Sequence, residues 1–251
     1  VTHLRVVTWN LQNCLGRDPG SGTDLAGAVA MLRSIDADLV ALQEVDREQD
    51  RSGGADQAAE LARALGMRGW YAPALLGPTS RREEWRAAAG TDPGGPAYGV
   101  ALLSRLEVEK VTTVQLPRPE RRGEPRVALV AGVRAGESRL TVASTHLSFI
   151  KTDAAVQLRW LERRLEAEPA PRLLLGDLNL WLSLVRLVSG RRWRSLAFGP
   201  THPNPPPGTV GHSVRIDHVL GSDGGGAVVR ALRTRIAAGP VSDHRALIAD
   251  L

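Results

Sequence analysis

The chain has one cysteine, Cys14, among its 251 residues. A lone cysteine excludes an internal disulfide framework, and its isolation assigns it to packing rather than to thiol chemistry. No apolar run approaches the roughly 20 residues that a membrane-spanning helix needs. The N-terminus, VTHLRVVTWN, lacks the layout of a signal peptide and passes straight into a strand-like pattern. Because the first residue is Val1 rather than Met, a processed or trimmed chain is expected, and the compartment, cytoplasmic or secreted, stays open. Lysine is also nearly missing, since only Lys110 and Lys151 occur among the 32 basic residues. The net charge of +5 is therefore an arginine bias, which favours an anionic partner only mildly. No His/Cys cluster has zinc-ligand spacing. No linker, repeat or dimerisation motif is visible either, so a monomer with one domain over 1–251 is expected.

What is present reads as a soluble α/β protein, with 43% apolar and 24% charged residues. LRVVTW (4–9) and LVALQEV (39–45) have strand character, and Leu25, Val29 and Leu32 between them follow helical spacing. Ala58, Leu61 and Leu65 mark a second helix that stops at Gly66. Strand-like segments follow at 98–104, 108–115, 126–134 and 139–145. Ala154, Leu158, Leu161 and Leu165 mark a further helix. After a strand at 172–176 and a short helix at 181–189, strands recur near 214–220, 227–235 and 245–250. Helices packed outside sheets account for this order. Long loops are expected at 77–97, 117–125 and 199–213, a length that usually signals function.

The stretch RLLLGDLNLW (172–181) focuses the question of activity. Three leucines suit a strand buried on both faces, Gly176 suits a turn, and Asp177 and Asn179 follow at once. Other apolar strands end the same way. The first ends at Asn10, the second reaches Glu44, and 139–145 leads to His146. Asp217 lies inside VRIDHVL, and Asp243-His244 precedes the last strand. Each residue alone is explained by capping, an edge carboxylate or a core histidine. Jointly they are not, because strand ends in α/β folds converge on ligand sites. Carboxylates for a hard cation, amides and two histidines form an inventory for metal-assisted hydrolysis of phosphate esters.

At these residues the chain resembles the endonuclease/exonuclease/phosphatase superfamily. The matching pieces are TWN (8–10), LQEVD (42–46), YGVALLSR (98–105), STHL (144–147), GDLN (176–179), RIDHVL (215–220) and SDH (242–244). Their order and their spread over nearly the whole chain make the likeness specific. It implies a four-layer α/β sandwich, with two mixed β-sheets face to face and helices outside. It implies Mg²⁺ as cofactor, with Mn²⁺ or Ca²⁺ as substitutes. Glu44 would be the principal metal ligand, with Asn10 beside it and Asp243 completing or supporting the site. Asp177 would position and activate water, and Asn179 would hold that water or a phosphate oxygen. His244 would bond the scissile phosphate, Asp217 would orient His244, and His146 would contact the phosphate or assist the leaving group.

The resemblance fixes chemistry better than substrate. His146 in STHL is similar to the deoxyribonuclease I, sphingomyelinase and phosphatase branches, whereas abasic-site endonucleases tend to use a tyrosine there. A nuclease acting on DNA or RNA is expected first, and a phosphoesterase on a phospholipid, inositol phosphate or nucleotide second. RREEWR (81–86), RPERRGEPR (118–126) and GRRWR (190–194) combine arginine with tryptophan and could grip nucleic acid or an anionic membrane surface. His218 is assigned a packing or supporting role, and His202 and His212 are read as exposed bystanders rather than ligands, in a Pro-rich loop that could border the cleft.

Overall fold

Side chains of a β-strand alternate between its two faces, so a strand that is apolar throughout must be covered on both sides. In a computed structural model that describes residues 3–18, 20–88, 92–118, 123–205, 212–224 and 229–251, the leucines at 173–175 show this directly. Leu173 and Leu175 belong to a core between two sheets, and Leu174 to a second core beneath helices. Val6 and Val7 divide in the same way, as do Leu39 and Val40, between the inter-sheet core and a third core under the other helices. Three apolar interfaces thus stack four layers, helix, sheet, sheet and helix.

The elements in chain order are β1 (Arg5–Asn10), α1 (Leu25–Ile35), β2 (Leu39–Arg47), α2 (Gln57–Leu65), β3 (Arg68–Leu76), β4 (Arg86–Ala87) and β5 (Ala97–Ser104). There follow β6 (Glu107–Gln115), β7 (Val127–Ala135), β8 (Ser138–His146), α3 (Lys151–Glu166), β9 (Arg172–Asp177) and α4 (Leu182–Ser189). The last are β10 (Arg194–Ser195), β11 (Asp217–Ser222), β12 (Arg233–Ala237) and β13 (Ala246–Asp250). Among the described residues, one sheet runs β12-β13-β1-β2-β5-β3-β4 and the other β10-β11-β9-β8-β7-β6. Both are mixed: β1 and β2 pair in parallel across α1, and β8 and β9 across α3. The remaining pairings are antiparallel.

The helices form where the spacing predicts. Asp24 and Asp56 cap α1 and α2 by accepting from the backbone N–H of Gly27 and Ala59, and Gly66 ends α2 in the left-handed region. Ala154, Leu158, Leu161 and Leu165 form the fully buried stripe of α3. Three strands, β3, β4 and the two-residue β10, form where none was expected. β3 was not legible, and β4 lies inside the loop expected at 77–97. Pro73 stands at a register shift of β3 against β5, a bulge where a missing N–H is tolerated, so a strand forms despite the proline. The strand expected at 227–235 falls partly outside the described residues; of its described portion 229–232 is irregular and 233–235 belongs to β12.

GRRWR is also placed differently. Trp193 is buried in the core under α3 and α4, and Arg192 pairs with Glu166, so this segment presents no ring for stacking. Cys14 is fully buried, and burial pushes its thiol up to about 12, as a packing role requires. No described helix is long and apolar enough to cross a membrane.

Glu162 on α3 is buried against the hydroxyl of Ser189 on α4. Burial, reinforced by the charge of Glu166, raises it from 4.5 to about 7. The native state therefore favours the protonated acid. That contribution is complete below pH 4.5 and is lost as the pH rises through about 7. Glu162→Gln is expected to raise the thermal midpoint above wild type at pH 8, with the difference closing toward pH 4.5. Parallel thermal melts across that range check it, and a pH-independent difference would contradict the buried-acid assignment.

Candidate active site

The topology brings the polar strand ends to one rim. β1 and β2 run the same way, so Asn10 and Glu44 emerge side by side, and β8 and β9 likewise deliver His146 and Asp177. β11 is antiparallel to β9, with Asp217 directly opposite Asp177. β13 is antiparallel to β1, which sets His244 near the end of β1, where Trp9 Nε1 donates to its carbonyl at 3.1 Å. The site is therefore divided between the sheets: Asn10, Glu44 and His244 come from one, and His146, Asp177, Asn179 and Asp217 from the other.

Several backbone conformations are unusual. Glu44, Asn179 and Ser242 have φ of 54°, 52° and 69°, a left-handed region sparsely used by residues other than glycine. Glu44 occupies it where the β2–β5 register shifts, so a bulge turns its carboxylate toward the cleft. Gly176 has the opposite history. It is not a turn residue but part of β9, paired with Thr145, and a Cβ there would meet the Thr145 carbonyl oxygen at 2.1 Å. The glycine serves close approach of two strands.

Hydrogen bonds fix the carboxylates. Asn10 Nδ2 donates to Glu44 Oε1 at 3.0 Å and to Asp177 Oδ2 at 3.1 Å, crossing from one sheet to the other. Its own Oδ1 accepts from the backbone N–H of Gln12 at 3.0 Å. A carboxylate only accepts, so the orientation of the Asn10 amide is set by its partners. Asn179 N–H donates to Asp177 Oδ1 at 2.9 Å. Burial, joined by the charge of Asp217, pushes Asp177 up to about 7 against the pull of His244 and the Asn10 bond.

The two histidines differ in charge. His244 Nδ1 donates to Asp217 Oδ2 at 2.9 Å, and its Nε2 lies 3.8 Å from Asp177 Oδ2. Burial would lower His244, but Asp217, Asp177 and Asp243 outweigh it and raise the ring to about 10. His146 Nε2 accepts from Asn179 Nδ2 at 3.2 Å and lies 3.5 Å from Asp177 Oδ2. Burial, with Arg126 and His244 nearby, holds His146 well below the ordinary histidine range. At neutral pH one ring is a cation and the other a neutral imidazole.

Glu44, His146, Asp177, Asn179, Asp243 and His244 line one cleft of about 430 Å³. Asp243 stands on the histidine side, with Oδ2 3.5 Å from His202 Nε2 and Oδ1 3.9 Å from His244 Nε2. Those two rings hold it below the usual carboxylate range despite burial. His202 is no bystander: it lines the cleft and packs on His244 with ring centroids 4.5 Å apart. Its place is set by backbone bonds to Val214 and carried no local sequence signal. His212 is exposed, and His218 is buried with Nε2 2.8 Å from the Leu180 carbonyl, where it steadies the GDLN turn. Sequence reading also passed over Arg126 as an individual site residue. It is buried in the cleft wall, 3.2 Å from Glu124.

These donors suit a divalent cation. Glu44 offers oxygen, the preference of a hard ion, beside the buried carboxylate of Asp177, to which it is joined through the Asn10 amide. Two ligand triads lie within 4.8 Å, Asp177/Asp217/His244 and His202/Asp243/His244.

Facing sheets with acids and imidazoles converging at one rim define a phosphoesterase architecture. The family model of the Endonuclease/Exonuclease/phosphatase family matches residues 7–244, and the chain belongs to that family. Its members are hydrolases acting on phosphate esters and are generally dependent on divalent metal. The structure resembles an endonuclease/exonuclease/phosphatase from Beutenbergia cavernae (TM-score 0.74, 21% identity, covering 100% of this chain and 71% of that one). It also resembles a humanized D. rerio TDP2 (TM-score 0.70, 17% identity, 100% and 99%). A D. rerio TDP2 complexed with single strand DNA product shares the fold at TM-score 0.68 and 17% identity, covering 100% and 99%. No curated protein matches the chain in sequence.

In metal-free protein, His244 is expected to stay protonated through neutral pH. Asp217→Asn is expected to bring its titration down toward the ordinary value near 6.5. Histidine ¹⁵N NMR checks both, and wild-type titration near that ordinary value would contradict the pairing.

Proposed function

We propose that residues 1–251 act as one catalytic domain, a Mg²⁺-dependent nuclease that hydrolyses phosphodiester bonds of DNA or RNA. The observation that carries this reading is the convergence of Asp177, the Asp217–His244 pair and the Asn10–Glu44 pair on one cleft. Glu44 would hold the metal, with Asn10 orienting it and Asp243 supporting the site from the histidine side. Bound there, Mg²⁺ would offset charge on the phosphoryl oxygens.

The chain's own residues supply the rest. Asp177 takes a proton from the attacking water, whose oxygen forms the new bond to phosphorus. Asn179 holds that water or a phosphoryl oxygen. Cationic His244 donates to a phosphoryl oxygen where negative charge builds, and Asp217 fixes its tautomer and direction. The ester bond to the leaving oxygen breaks, the proton taken up by Asp177 returns to that oxygen through solvent, and neutral His146 contacts the phosphate or the leaving group. Environments that push two histidines apart in charge suit this division of roles.

The substrate reading draws on the walls. Arg51, Arg126 and Trp85 line the cleft, and a fold neighbour is a TDP2 complexed with single strand DNA product. A cleft of about 430 Å³ also has small-molecule dimensions, which supports a phosphoesterase on a phospholipid, inositol phosphate or nucleotide as the second reading.

Wild-type protein is expected to nick supercoiled plasmid in Mg²⁺ and to stop in EDTA. His244→Ala is expected to lose about 10²–10⁴ in rate, the usual cost of one acid–base group. Nicking that survives this substitution would sink the site assignment. Folded protein with no nicking would move the reading to small phosphate esters.

A further inference from the structure

Beside the cleft lies a second groove of about 430 Å³, with Trp181, Phe198, Val214 and Arg215 in its wall. Its large apolar side chains are uncovered: Trp181 is 52% exposed, Phe198 51% and Val214 44%. Two such rings close together on a water-facing surface call for an explanation. Each has a cation over it. Arg215 lies 4.9 Å from the Phe198 ring centroid, and Lys151 lies 5.8 Å from that of Trp181.

Arg215 is the more informative cation. One end of its guanidinium donates to the Ala197 carbonyl. Its Nη2 is buried without a hydrogen-bond partner, and among the described residues no carboxylate forms an ion pair with it. Burial and the neighbouring charge of Arg186 bring it down to about 10. A half-buried, unpaired guanidinium with a second arginine nearby is an environment short of an anion.

The groove and the cleft are joined by common chain. Phe198–Pro200 leads to Thr201, whose hydroxyl accepts from the N–H of Asp217 at 3.2 Å, and to His202 on His244. Val214 and Arg215 lead directly to Ile216, which lines the cleft. On the other side, Lys151 donates to the Asn179 carbonyl. Flat rings together with an unsatisfied cation match a group that is aromatic and anionic at once.

We propose that this groove binds a nucleotide of a single-stranded nucleic acid whose scissile phosphate lies in the cleft. Its base stacks on Trp181 or Phe198, and its phosphate meets Arg215. The surface is shallow, and its cations lie over the rings rather than free at its border. A membrane surface would instead be met by projecting apolar side chains flanked by free lysines and arginines. The proposal deepens the nuclease reading and rests on it for the position of the scissile phosphate.

The test uses the full chain in EDTA, so that binding is read without cleavage. Fluorescence anisotropy of a labelled oligothymidylate is compared for wild type, Trp181→Ala, Phe198→Ala and Arg215→Gln, with thermal midpoints as the check on folding. Substitution of the ring that carries the base, Trp181 or Phe198, is expected to weaken binding by at least about fivefold, the low end for one stacked base. Arg215→Gln is expected to weaken binding and to reduce its salt dependence by about one phosphate contact. Unchanged affinity in folded ring and arginine variants would overturn the proposal. So would loss of binding to phosphatidylserine vesicles in variants that still hold the oligonucleotide normally. Adding Mg²⁺ to the wild-type complex separates the two readings. Binding without cleavage would defeat the nuclease assignment and leave the groove standing, whereas cleavage by variants with wild-type affinity would do the reverse.

Discussion

The burial of carboxylates close to one another is the constraint around which the candidate site is arranged. Asp177 and Asp217 face each other across a strand pair, both buried, and Glu44 is tied to the same Asn10 amide as Asp177. Left to themselves, such groups would take up protons or push the strand ends apart. Each neighbour reduces that tendency. Asn10 gives its amide hydrogens to two acids, Asn179 gives its backbone N–H to a third oxygen, and His244 stays cationic between Asp217 and Asp177. Burial, joined by the charge of Asp217, still raises Asp177, and a group of oxygen donors such as Glu44 and its neighbours is what a hard cation prefers.

Most of the layered fold was legible because alternation and helical spacing are local signals. Leu173 to Leu175 announced a strand with two buried faces, and Ala154 to Leu165 announced the stripe of α3. The failures have physical causes. Pro73 hid β3 because a proline is compatible with a strand only at irregularities, and no pattern in the sequence marks where those fall. Gly176 passed for a turn because the approach of the Thr145 carbonyl is a tertiary fact. Trp193 looked exposed among arginines, yet its neighbours point outward while its ring fills a core.

The candidate site followed the same division. The motif residues lie together at one rim, where strand order and the bulge at Glu44 deliver them. His202 and Arg126 did not announce themselves. One sits in a loop without periodicity and the other in an arginine-rich run, and each is placed by contacts distant in sequence. The left-handed backbone at Glu44 was equally silent. Such conformations cost on the order of 1–3 kcal/mol and persist only where the surrounding structure holds them.

That the site straddles two sheets makes the apolar layer between them a gauge block for the chemistry. Its thickness, set by side chains such as Val6, Leu129 and Leu175, spaces the jaws that carry Glu44 and Asp177. Interiors packed to crystalline density transmit a change of one methylene rather than absorb it. A small cavity far from the cleft would therefore act as a miscalibration, reaching turnover at temperatures where the fold is still intact. The separation between the midpoints of inactivation and of unfolding would measure how finely that gauge is set.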